Sequence, residues 1–372
     1  MESLRPLGLY IHIPFCRSKC LYCDFYSLAR SEERMDAYVS ALCASLRDAA
    51  PQTAGYTVDT VYVGGGTPSL LGASRLTKLL ETAISRYAVA PDAEITLEAN
   101  PESARDAGML RALRNAGFNR ISLGMQSADD EELRAVGRIH TARDTEVAVA
   151  AARRAGFDNL SLDLIYGLPA QTRRRWRENL DAAVALAPEH LSCYGLKLEP
   201  GTPLYARRGS LELPDDDAQA EMYLDAVDRL DAAGYAQYEI SNFARPGRES
   251  RHNGKYWTLG EYLGFGPGAH SDFGGRRFAL ARDLDAFLAG KRVCSEDAAI
   301  TPRERAAERV MLGLRTARGL PAAELAGAEA LLRRCAAHGL AEQNGPNWRL
   351  TPQGFLVSNE IILRVQDALG LT

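Results

Sequence analysis

The chain has 372 residues, 46% of them hydrophobic and 25% charged, and its 44 Lys and Arg stand against 48 Asp and Glu for a formal net charge of −4. That is enough apolar material for one large core and a smaller second one. Basic residues interleaved with acidic ones exclude the clustered positive face of a nucleic-acid binder, and no apolar run reaches the roughly 20 residues of a membrane-spanning helix.

The N-terminus shows no charged-then-apolar leader, so a cytoplasmic protein with reduced thiols is expected, free or peripheral at the inner face of the membrane. Strand-like runs alternate with helix-length stretches up to about residue 200, at 7–13, 58–63, 94–98, 120–124, 159–165 and 190–198. Six βα units in a row, joined by right-handed crossovers, predict a partial (β/α)6 TIM-like barrel with helices outside. A core over residues 1–235, a connecting segment over 236–300 and a small domain over 301–372 are the expected divisions. In such a barrel the chemistry gathers at the C-terminal ends of the strands.

The first strand runs into "YIHIPFCRSKCLYCDFYS", which sets Cys16, Cys20 and Cys23 within eight positions. Three thiols cannot pair off as disulfides, and tetrahedral zinc normally takes four protein ligands or three and a water. An iron–sulfur cluster held by three thiolates would leave one iron open to an exchangeable small molecule. Cluster ligation is the stronger reading and zinc its rival. Cys43, Cys193, Cys294 and Cys335 each stand alone and read as buried packing.

The second strand ends in Gly64-Gly65-Gly66-Thr67-Pro68, where missing Cβ atoms would let a small molecule approach the main chain. The third ends at Glu98, the fourth at Gln126, and Asp163 and Tyr194 follow on the fifth and sixth. One strand-end carboxylate is more often structural than functional. Four polar groups in series, on the mouth the cysteines occupy, make a binding cleft. His12 lies two residues from Tyr10 and shares its face.

The CxxxCxxC loop, GGGTP and the strand-end Glu, Gln and Asp resemble the radical S-adenosylmethionine (SAM) proteins. More narrowly, "YIHIPFC", "VYVGGGTPS", "LEANPES", "SLGMQS" and "DLIYGLPAQT" resemble the oxygen-independent coproporphyrinogen III oxidase-like branch of that family, through nearly the whole chain. The resemblance implies a 4Fe–4S cluster on Cys16, Cys20 and Cys23, with SAM on its open iron. It further implies SAM contacts at Tyr10, Gly66, Thr67, Glu98, Gln126, Arg138 and Asp163, with Tyr22 close to the cofactor. A guanidinium at Arg138 would suit the SAM carboxylate.

Residues 215–233 read as a helix, followed by a glycine- and aromatic-rich stretch with no helical pattern. Within it "RHNGKYW" holds His252, and HNxxYW resembles a pattern of the haem chaperones of the branch, which implies haem contact there. His270 reads as structural. From residue 301, helical runs at 303–315 and 328–338 flank a turn-like "NWRLTPQG", predicting a small helical or winged-helix-like domain.

The branch contains both an enzyme and haem chaperones. The enzyme's motif continues as CxxxCxxCxC and follows a longer N-terminal arm, whereas here Asp24 and Phe25 follow Cys23 and Tyr10 comes almost at once. The resemblance therefore implies a chaperone that passes haem to an acceptor, a membrane respiratory protein. The alternative is an enzyme that generates a 5′-deoxyadenosyl radical with electrons from a flavodoxin or ferredoxin. A DNA-binding regulator is disfavoured by charge.

Overall fold

The structure, a computed structural model, describes residues 4–372. Six parallel strands form its centre: β1 (Arg5–Ile13), β2 (Tyr56–Gly65), β3 (Val89–Ala99), β4 (Arg120–Gln126), β5 (Leu160–Tyr166) and β6 (His190–Gly195). Between them run α1 (Met35–Ala49), α2 (Gly72–Arg86), α3 (Ala107–Ala116), α4 (Ala142–Ala155) and α5 (Arg173–Ala185). After β6 comes α6 (Asp216–Ala232). The mixed α/β fold with a partial barrel expected from the sequence is the fold found.

Residues 236–300 do more than connect. They supply β7 (Ala236–Gln237) and β8 (Asn242–Ala244) beyond β6, then β9 (Tyr262–Phe265), β10 (His270–Phe273), β11 (Arg276–Leu280) and β12 (Cys294–Ala299) beyond β1. The result is one 12-stranded sheet, ordered β12-β11-β10-β9-β1-β2-β3-β4-β5-β6-β8-β7.

This stretch also contains a helix that the pattern hid, α7 (Arg251–Thr258). Its glycine and aromatics disguise a capped turn. The Ser250 hydroxyl accepts from the Asn253 N–H at 3.3 Å, and the buried Glu94 carboxylate accepts from the N–H groups of Arg251 (3.1 Å) and His252 (3.0 Å). A carboxylate at a helix N-terminus satisfies orphan donors and opposes the helix dipole.

Toward the mouth the strands alternate with a period of two, β2 changing face by one residue at a register shift between Val58 and Thr60. Leu9, Ile11, Val61, Val63, Ile95, Leu97, Ile121, Leu123, Leu162, Leu164 and Leu191 are buried in the core that also takes in the helices. The opposite faces carry Tyr10, Tyr62, Thr96, Glu98, Arg120, Ser122, Asp163 and Ser192. TIM barrels usually fill this inner face with branched apolar side chains. Here it is polar, and a cavity of about 500 Å³ opens inside.

Residues from 301 onward form a second apolar cluster, including Val310, Leu314, Leu325, Leu332, Trp348, Leu350, Ile361 and Val365, which Tyr223 of α6 joins. Helices Pro302–Gly313, Glu329–Ala337 and Ser358–Ala368 surround a three-stranded sheet whose hairpin pairs Ala341–Asn344 with Asn347–Leu350. Cys43, Cys193 and Cys335 are buried as expected, but Cys294 is exposed. It opens the edge strand β12, all six of whose residues are exposed.

Candidate functional site

Cys16, Cys20 and Cys23 all line the cavity at the C-terminal mouth of the strands. Among the described residues no three His, Cys, Asp or Glu side chains close on one ion position. Two of the thiols are already held by hydrogen bonds: Cys20 Sγ accepts from Arg138 Nη1 at 3.4 Å, and Cys16 Sγ from Thr67 Oγ1 at 3.5 Å. Burial raises the pKa of the free Cys16 and Cys23 thiols. Three thiols on one wall, two with donors, fit a metal–sulfur cluster, whose charged sulfurs are stabilised by such donors.

The glycines of GGGTP serve the protein's own packing. A Cβ on Gly65, whose φ is +113°, would meet the His12 ring at 2.5 Å, and one on Gly66 would meet the Phe15 carbonyl oxygen at 2.7 Å. The Gly66 and Thr67 N–H groups donate to the carbonyls of Ile13 and Phe15 at 2.8 and 2.7 Å. The loop is thus clamped onto the cysteine segment, while Gly65, Gly66 and Thr67 still face the cavity.

Glu98 accepts from the Tyr62 hydroxyl (2.7 Å) and the Gly65 N–H (2.9 Å), yet burial pushes its pKa up to about 7. Asp163, also raised by burial, accepts from Ser122 Oγ at 3.1 and 3.2 Å. Gln126 sits at φ +62°, a left-handed conformation that costs about 1–3 kcal/mol for a non-glycine residue and clusters at functional sites. Tyr22 lines the same cavity, as does Tyr194, which keeps 41% of its surface accessible.

Arg138 does more here than the sequence predicts. Its Nη2 donates to Asn100 Oδ1 (2.7 Å) and the Gly124 carbonyl (2.9 Å), its Nε to His140 Nδ1 (3.3 Å), and its Nη1 to Cys20. Asn100 Nδ2 in turn donates to Thr67 Oγ1 at 3.0 Å, and Thr67 to Cys16. One guanidinium therefore braces two of the three thiols. His140 donates from Nε2 to the Met125 carbonyl at 3.1 Å, which leaves Nδ1 as the acceptor facing Arg138. Asn100 and His140 escaped sequence reasoning, although Asn100 shares the face of Glu98 by alternation.

Two sequence candidates are not on the cavity wall. Tyr10 lies behind it, its ring centroid 6.2 Å from Tyr62 and its hydroxyl 3.0 Å from His12 Nδ1. His12 Nε2 donates to the Tyr26 carbonyl at 2.8 Å, so His12 ties β1 to the end of the cysteine loop. His252 is 1% exposed on α7. Its Nδ1 meets Thr60 Oγ1 at 2.8 Å, its Nε2 meets the Tyr256 hydroxyl at 3.0 Å, and its ring stacks on Tyr62 at 5.1 Å. Both nitrogens are engaged, and burial lowers its pKa to about 3. This imidazole could meet iron only by giving up one of these hydrogen bonds, and it stands off the cavity wall where the motif resemblance implies haem contact. His270 is exposed on β10.

The radical SAM superfamily matches residues 10–183, and the HemN C-terminal domain matches residues 300–357. A heme chaperone HemW of Mycobacterium tuberculosis is 39% identical over 96% of this chain and 94% of its own length. That of Escherichia coli is 44% identical over 73% of this chain and 71% of its own. The solved coproporphyrinogen III oxidase HemN of Escherichia coli superposes with a TM-score of 0.84 at 26% identity, covering 98% of this chain and 90% of that one. With the three-thiol mouth and the polar lumen, these likenesses lead to one conclusion: the chain belongs to the HemW family of radical SAM proteins.

Proposed function

We propose that this protein is a haem chaperone. It holds a 4Fe–4S cluster on Cys16, Cys20 and Cys23, binds SAM at the open iron, and passes haem to an acceptor, a respiratory protein of the membrane. The observation that carries the reading is the three-thiol mouth itself, with Asp24 and Phe25 where a fourth cysteine would follow. The near end-to-end similarity to named haem chaperones supports it.

When bound, the cluster and SAM supply one-electron chemistry at the sulfonium. The chain's own part is to hold the mouth. Arg138 places positive charge beside Cys20, the clamped glycine loop fixes Thr67 on Cys16, and Glu98, Gln126 and Asp163 offer polar atoms for SAM. Haem contact belongs at the rim, where Phe25, 67% exposed, and Tyr194 present aromatic faces large enough to pack on a porphyrin. No helix among the described residues is long and apolar enough to cross a membrane, so delivery to a membrane acceptor would occur from its surface.

The second reading is a radical SAM enzyme with a flavodoxin or ferredoxin as electron donor, favoured by the HemN superposition. Anaerobic reconstitution decides between them. Haem-loaded protein should show a Soret band and lose haem to acceptor-bearing membranes, without converting coproporphyrinogen III. Sustained coproporphyrinogen decarboxylation, or no haem binding, would overturn the chaperone reading.

A further inference from the structure

Arg120 opens β4 with its side chain on the lumen and is 1% exposed. Its Nε has no hydrogen-bond partner among the described residues. Glu94, Tyr62, Tyr238 and Asp163 act on it only through space. The acids around it are committed elsewhere: Glu94 to the start of α7, Glu98 to Tyr62 and Gly65, Asp163 to Ser122. Arg138, by contrast, has Cys20, Asn100, Gly124 and His140 on its donors.

A buried guanidinium whose Nε has no acceptor is costly, even with carboxylates nearby to offset its charge. Its planar fork of donors matches a carboxylate. Asn253, carried to the same cavity by α7, adds an amide. Register places Arg120 beside Thr96, one pleat below Glu98, so Arg120 sits deeper than the strand-end groups.

We propose that Arg120 and Asn253 form a carboxylate subsite at the base of the lumen, receiving the acid arm of a molecule that enters by the cysteine mouth. Two sources share that chemistry. One is a propionate arm of a tetrapyrrole, which rests on the haem reading above; the other is a small free carboxylate.

The test titrates carbon-13-labelled propionate into the full chain, observed by NMR, for the protein and for Arg120→Met. Saturable broadening that weakens about tenfold or more in Arg120→Met is expected, as for the loss of a charged hydrogen-bonding partner. Arg120→Met also removes the positive charge that Glu94 and Asp163 face, so circular dichroism first establishes that the variant is folded. Equal binding by the folded variant, or no saturable binding by the parent, would overturn the subsite. Metal-free protoporphyrin IX and its dimethyl ester then identify the source. Preference for the free acid, lost in Arg120→Met, assigns the tetrapyrrole arm, whereas equal binding of acid and ester rules it out. Failure of both porphyrins to bind defeats the haem reading and leaves the propionate result standing by itself.

Discussion

His252→Ala separates a structural imidazole from an iron ligand. The ring is buried between Thr60, Tyr62 and Tyr256 beneath the lumen, with both nitrogens bonded. Truncation should cost roughly 2–4 kcal/mol in lost packing, and about 1 kcal/mol more for orphaning the fully buried Thr60 hydroxyl, the Tyr256 hydroxyl being only part-buried. A loss of about 3–5 kcal/mol is therefore expected in urea unfolding at pH 7.5 followed by circular dichroism. The pH dependence adds a signature. An unfolded imidazole takes up its proton below about 6.5, but burial holds the folded ring neutral down to about 3. Between those values the unfolded state binds the extra proton, so this ring's contribution to stability falls as pH drops, by about 1.4 kcal/mol per unit. The alanine variant lacks that proton. The gap between the two proteins should accordingly narrow by about 1.4 kcal/mol per unit from pH 6 toward pH 4. Variant protein that remains folded should keep the position of its haem Soret band. A stability gap under about 1 kcal/mol, together with loss of the Soret band, would refute the placement and restore His252 as an axial ligand.

Replacing Cys16, Cys20 or Cys23 by Ala should abolish the iron–sulfur absorption of anaerobically reconstituted protein, while Cys43→Ala, buried against α2, should retain it. Arg138→Ala should weaken the SAM-induced change in the reduced cluster's electron paramagnetic resonance spectrum by about ten- to a hundredfold in affinity. It should also lower cluster retention, since the guanidinium braces Cys20 directly and Cys16 through Asn100 and Thr67. Gly65→Ala should destabilise by more than about 1 kcal/mol in thermal melts, because its φ is +113° and its Cβ would strike the His12 ring.

Alternation and motif spacing made much of this protein legible from its residues. The six parallel strands, the strand-end positions of Glu98, Gln126 and Asp163, and the cysteine loop all follow from local order along the chain. Local order could not show what distant segments do to one another. α7 was hidden because, beyond the local Ser250 cap, its first N–H groups are satisfied by Glu94, 157 residues earlier in the chain. His252 looked like a ligand beside its aromatic neighbours; Tyr256, one helical turn on, takes its Nε2, and only the fold sets its Nδ1 against Thr60 of β2. Arg120 reads as an ordinary strand residue until the closing sheet removes water from around it and leaves its Nε unpaired. A sequence determines which face a side chain occupies, since that depends on a two-residue period. What a buried charge meets there depends on contacts between strands and loops far apart in the chain, and those are decided by the tertiary structure.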